Sequence, residues 1–221
     1  GICSLGLAPF INELSFAAVL MVFNGLFKRL GGDTAIAAYA IIINVFYVVN
    51  SVFNGIANGT QPMISFSYGQ SDHQKIRRIL RYALITVASV AVVLYIAIFF
   101  GANGIASIFN TQGVKELQDA ATLGLRLFFI SSLFSGFNLL FSYYFSASNK
   151  GGYAQLITVL RGLVTIIPIA YLFSYLWKMT GLWLATPAAE LVTLAVTLTI
   201  FILTRSKKQE LIPCPEYRTE A

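Results

Sequence analysis

The sequence predicts an all-α polytopic membrane protein, and three observations lead there. Hydrophobic residues fill 57% of the 221 positions and charged residues only 11%, where a soluble domain carries about a quarter. Mean hydropathy is +0.74. The charges cluster between long apolar runs, a pattern of transmembrane helices and not of the short alternating segments of an outer-membrane barrel.

A window of about 19 residues resolves six spans, at 4–27, 34–57, 80–101, 122–146, 153–176 and 181–203. The first is no signal peptide: it lacks a basic leading region, is too long, and no small-residue cleavage site follows. Because the sequence starts at Gly1 and not at Met, in what already looks like membrane-spanning sequence, it reads as part of something longer. The second span continues in pattern to Gly69. A helix from Thr34 to Gly69 has 36 residues and would be about 54 Å long at about 1.5 Å per residue, against a hydrocarbon core of about 30 Å. Gly55, Gly59 and Pro62 predict a bend where it leaves that core. The fourth span is rich in Phe and Tyr. Residues 205–221 are polar, with Pro213 and Pro215, and read as a disordered tail after a transmembrane unit of 1–204.

Six spans put both ends on one side. That side holds Lys75, Arg77, Arg78, Arg81, Lys150, Arg205, Lys207, Lys208 and Arg218; the other holds Lys28, Arg29, Lys115 and Lys178. The excess predicts that both ends are cytoplasmic. The KIRRILR run at 75–81 reads as a topology anchor touching anionic lipid, in preference to a nucleic-acid site. Cys3 and Cys214 fall on the predicted reducing side as free thiols.

Charges inside spans are costly and so are candidates for function. Glu13, Arg161 and Glu190 all sit near the predicted midplane, and Arg161 and Glu190 belong to spans joined by a short loop, so they can form a buried charge pair. Either that pair is a structural clamp, or one cation facing two acids leaves a carboxylate free to carry the coupling ion, which makes Glu13 and Glu190 the ion-coupling candidates. Arg126 is expected to snorkel to the outer interface. Pro9, Pro62, Pro168 and Pro187 interrupt backbone donors within spans.

Asn50, Asn54 and Asn58 recur every four residues, beside a row of Asn44, Tyr47, Ser51 and Asn54. They serve either interhelical hydrogen bonding or the wall of a water-filled cavity, with Tyr47, Asn50 and Asn54 as lining candidates. On the fourth span Phe134, Phe137, Phe141 and Tyr144 share one face, and Ser131, Ser135, Asn138 and Ser142 another. The rings either face lipid or, with Asn138, line a site for a lipophilic cation. There is one His, no P-loop, no CxxC and no GxSxG, so enzymatic chemistry is not expected.

The stretch from Leu26 to Ala83 resembles the seventh-to-ninth helix region of multidrug and toxic compound extrusion (MATE) transporters, through Gly31-Gly32-Asp33, Ala37-Ala38-Tyr39, Gly59-Thr60-Gln61-Pro62 and Tyr68-Gly69. The segment SASNKGGYAQLITVLRGLVTIIP resembles the family's tenth-to-eleventh helix junction, and GLWLATPAAE the start of its twelfth helix. The resemblance implies one six-helix lobe, helices seven to twelve, of a twelve-helix transporter. It implies an antiporter that exports amphipathic, cationic drugs by alternating access, driven by H⁺ or Na⁺, in the plasma (inner) membrane. The implied partners are the lipid bilayer, the N-terminal six-helix lobe and small drugs. No cofactor beyond the coupling ion and no nucleic acid is implied. The tenth helix of sodium-coupled members carries an acid, whereas span 122–146 has neither Asp nor Glu. That departure speaks against a sodium site in this lobe. The alternatives are a flippase for lipid-linked precursors, which needs a more basic cavity, and a non-transporting membrane subunit.

Overall fold

The computed structural model describes the backbone of residues 2–210 and the side chains of residues 14–204. Among these the chain is helical almost throughout: α1 (Ile2–Gly69), α2 (His73–Phe109), α3 (Lys115–Phe128), a 3₁₀ turn (Phe129–Ser131), α4 (Ser132–Ala147), α5 (Gly151–Val159), a π-turn (Leu160–Val164) and α6 (Ile166–Glu210). Four stretches are long and apolar enough to cross a membrane: Leu14–Gly69, His73–Phe109, Lys115–Ala147 and Gly151–Thr204. The first and last each double back, giving six legs.

The first reversal is at Gly32, with φ 63° and ψ −152°, a conformation open essentially to glycine alone. Legs 2–31 and 33–69 then run side by side. Phe27 and Tyr39 stack with ring centroids 4.8 Å apart, whereas twelve residues of straight helix would separate them by about 18 Å. The second reversal is at Lys178, with φ 49° and ψ −126°. It brings Gly181 so close to the backbone of Phe173 that a Cβ there would lie 2.6 Å from the Phe173 carbonyl carbon. The two reversals also touch, since a Cβ on Gly31 would lie 3.1 Å from Met179 Cε.

The other connections are closed by side chains. Asp72 caps α2 by accepting from the Lys75 backbone N–H at 2.9 Å. Asn110 grips Val114 from both sides: its Nδ2 donates to the Val114 carbonyl at 2.9 Å and its Oδ1 accepts from the Val114 N–H at 3.0 Å.

Helix α4 occupies the middle of the bundle and touches α1, α2, α5 and α6. Gly136 marks a close crossing, where a Cβ would meet Phe53 and Val87 side-chain carbons at 2.8 Å. Helix α2 buries one face through Ile76, Leu80, Ala83, Val87, Ala91, Ile98, Ala102 and Ala106. The small residues there allow close approach, which matters because lipid provides no hydrophobic drive between helices. At the reversal end, Trp183 is 1% exposed and packs at a tilt against Phe27 with centroids 4.3 Å apart. Gly124 makes room for it, because a Cβ would lie 3.1 Å from the indole.

Through Gly55 to Pro62 α1 keeps helical φ and ψ, and Gly32 is the only residue with non-helical φ and ψ in Ile2–Gly69. Pro62 withholds its N–H from the Asn58 carbonyl, but Asn58 is exposed there, so the helix passes through. The helix also persists beyond residue 204, since α6 continues to Glu210, and only 211–221 of the expected tail lie outside the described residues.

Candidate functional site

A cavity of about 330 Å³ opens between the first, second, fifth and sixth legs. Ser15, Phe16, Val19 and Phe23 form one side, and Tyr39, Ile43, Phe46, Tyr47 and Asn50 the next. Phe128, Thr158, Gly162, Ile166 and Thr186 complete the wall, with Arg161 and Glu190 as its charged residues. The lining is mainly aromatic and aliphatic, with a few convergent polar groups, the usual make-up of a small-molecule site.

The two charges face each other. Arg161 Nε donates to Glu190 Oε1 at 2.7 Å. From α4, Asn138 Nδ2 donates to Glu190 Oε2 at 2.7 Å and to the Glu190 carbonyl at 2.9 Å. Both carboxylate oxygens are therefore occupied, and Glu190 is only 5% exposed. A buried ion needs such partners to offset its desolvation. Asn138 is fully buried and its Oδ1 has no partner.

Backbone irregularities flank this cluster. Arg161 lies in the π-turn, where the Thr165 N–H reaches back to the Leu160 carbonyl at 3.0 Å. Such single-turn bulges re-aim side chains and gather at functional sites. Pro187, inside α6, withholds a hydrogen bond from the Trp183 carbonyl one turn before Glu190. Both acid and base thus sit on helix segments with incomplete or displaced backbone ladders.

The candidates from the sequence are spread over three surroundings. Tyr47 and Asn50 lie on the cavity wall, with Tyr47 half exposed and edge-on to Phe16 at 5.8 Å. Asn54 lies off the wall; its Nδ2 donates to the Asn50 carbonyl at 3.0 Å and its Oδ1 accepts from the Tyr143 hydroxyl at 3.3 Å. Phe134, Phe137, Asn138 and Phe141 are not on the wall either. Phe134 is half-buried, Phe137 packs against the main core, and Phe141 packs at a tilt against Phe201 at 5.1 Å. The reason is the central position of α4, whose ring-bearing face other helices cover. The side chain of Glu13 lies outside the described residues. Arg126 is exposed; its Nε donates to the Phe99 carbonyl at 3.3 Å, and its guanidinium lies 5.2 Å from the Phe99 ring centroid.

Sequence reasoning missed Ser15, Phe16, Thr158 and Thr186. Helical spacing carried a usable signal for two of them. Thr158 is three residues before Arg161 and Thr186 four before Glu190, so each shares a face with a charged residue. Among the described residues no group of three or more His, Cys, Asp or Glu is placed to hold a metal.

Comparison with known proteins fits this picture. The multidrug export protein MepA of Staphylococcus aureus (strain bovine RF122 / ET3-1) is 26% identical over 203 residues, which are 91% of this chain and 44% of MepA. MepA of Staphylococcus saprophyticus subsp. saprophyticus is 25% identical over the same share of each chain. This chain thus spans about half the length of the curated relatives it matches. Among solved structures, an inward-facing multidrug resistance MATE family transporter of the MOP superfamily superposes with TM-score 0.90 at 18% identity, covering 96% of this chain and 49% of that one. A MOP superfamily transporter from Pyrococcus furiosus, described by the reversed polarity of its binding pocket, superposes with TM-score 0.84 at 19% identity, covering 91% and 45%. The MatE family model matches residues 10–172. This polytopic all-α membrane chain belongs to the MatE family of multidrug efflux transporters, and it is not an enzyme.

Proposed function

We propose that the chain is the C-terminal six-helix lobe of a cation-coupled antiporter that exports amphipathic, cationic compounds by alternating access. The observation that carries this reading is the cavity with its neutralised charge pair. Its walls are aromatic, its polar groups are few, and its one described cation is held by Glu190. An N-terminal six-helix lobe of the same protein would close the open side. In this reading Tyr47 offers stacking area, Asn50 offers an adaptable amide, and a lipophilic cation gains from the π-faces around it.

Coupling to H⁺ or Na⁺ is assigned to Glu190, the one acid on the described wall, with Asn138 as its positioning residue. Glu13, on the first leg, is kept as the second candidate. Lys75, Arg77, Arg78 and Arg81 within 70–81 and Lys150 within 147–152 support a cytoplasmic position for that end of the bundle in a plasma (inner) membrane. The same charge pairing argues against a flippase for lipid-linked pyrophosphates, because Arg161 is not free to hold an anion.

The test is efflux of a fluorescent cation such as ethidium from cells carrying the full-length protein. Glu190→Gln is expected to slow efflux by about tenfold, the scale of one hydrogen bond to a charged group. Glu190→Gln and Glu13→Gln proteins that both export at the wild-type rate under imposed H⁺ and Na⁺ gradients would sink the coupling assignment.

A further inference from the structure

The cavity absorbs no residue of α2, yet α2 carries the densest charge in the described chain. Gln74, Arg77, Arg78, Arg81 and Tyr82 enclose a separate hollow of about 290 Å³. Their spacing puts them along one side of the first turns of α2, opposite the buried Ile76, Leu80 and Ala83. Among the described residues no acid lines the hollow. The nearest carboxylate in sequence, Asp72, is engaged in capping the Lys75 N–H, and among the described residues no salt bridge involves Arg77, Arg78 or Arg81. Three exposed guanidinium groups with no acidic partner among the described residues favour an anion that joins them.

The surroundings decide which anion. Tyr82 is 64% exposed, and the exposed residues Ile85, Val92, Val93 and Ile96 follow it along the same helix. Tyr82 therefore stands where charge gives way to an apolar surface, the position of an interfacial aromatic. A ligand seated on the arginines would have its other end over that apolar face. The face lies away from the cavity that a second lobe would complete, since no α2 residue lines that cavity.

We propose that Gln74, Arg77, Arg78, Arg81 and Tyr82 form a headgroup site for an anionic glycerophospholipid. The arginines take the phosphodiester through their planar donor forks, which match its paired oxygens. Gln74 and the Tyr82 hydroxyl reach the glycerol, and the acyl chains lie along Ile85 and Val92. A nucleic acid would leave this apolar continuation unused.

The experiment purifies the full-length protein and measures, by mass spectrometry, the phosphatidylglycerol retained per protein. It also records the unfolding temperature on adding phosphatidylglycerol, phosphatidylcholine or inorganic phosphate. The combined variant Arg77→Gln, Arg78→Gln and Arg81→Gln should retain about tenfold less phosphatidylglycerol, or lower still, and lose its thermal shift. A variant with equal charge loss at the opposite end, Lys28→Gln, Arg29→Gln and Lys115→Gln, should keep both. The conservative set Arg77→Lys, Arg78→Lys and Arg81→Lys should fall between them, which separates lost recognition from lost folding. Equal loss in the two glutamine sets, or no loss in either, overturns the site. So does a shift from inorganic phosphate equal to that from phosphatidylglycerol, which would mark a free-anion site.

Discussion

The amides along α1 and the single amide Asn138 on α4 behave differently. The row on α1 is conspicuous in the sequence, with Asn44, Asn50, Asn54 and Asn58 within fifteen residues. Yet Asn44 Nδ2 donates to its own helix at the Ala40 carbonyl, 2.8 Å away, and Asn54 Nδ2 does the same at Asn50. Asn138 on α4 is a single residue among aromatics. It crosses to another helix and holds both the carboxylate and the carbonyl of Glu190. Repetition along a helix face marks where polar groups are tolerated, often because each can turn back on its own backbone. A buried amide with no such local outlet must find a distant partner, and it finds a charged one.

Four substitutions sharpen or break that contrast. Arg161→Leu should be the most damaging, because it leaves the buried Glu190 carboxyl with a single amide as its partner. A loss of about 3 kcal/mol or more is expected, read as the unfolding temperature of the purified full-length protein. Asn138→Leu should cost about 2 kcal/mol by removing two hydrogen bonds, one of them to a charge. In a double-mutant cycle with Glu190→Ala the part of that loss carried by the carboxylate bond should vanish, while the part carried by the Glu190 carbonyl remains. Additive effects would mean that Asn138 acts through packing and not through the carboxylate.

The α1 amides should give much smaller effects. Asn54→Leu forfeits the 3.3 Å bond from Tyr143, and an interhelical hydrogen bond in a membrane is worth about 0.6 kcal/mol on average. Asn44→Leu should leave stability unchanged within about 0.5 kcal/mol, since only a local bond is removed. If Asn44→Leu proved as harmful as Asn138→Leu, the contrast between the two sets would collapse.

The fold was largely legible from apolar runs, because a membrane helix must satisfy its backbone internally and so declares itself by length. All six runs fall within the six observed legs, and Gly31-Gly32 supplied the residue that the first reversal needs. The second reversal was not legible. It uses Lys178 at positive φ, where sequence rules look for glycine. The π-turn was equally silent, since nothing in LRGLV separates it from ordinary helix. For the site, the charges announced themselves by their cost in lipid, but the partners did not. Phe137, Asn138 and Phe141 carried the right chemistry for a cavity wall, while the central position of α4, a property of the whole bundle, turned them into its interior.

The touching reversals at Gly32 and Lys178 also limit how the protein can be labelled. At that end two of the three links between legs have no connecting segment, and Met179 fills the space beside Gly31. An epitope or fluorophore-bearing insert at either reversal would have to pry the neighbouring hairpin away. The connection at 110–114, with Gly113 at φ 66°, is a true link between helices and offers that face of the bundle its one handle among the described residues.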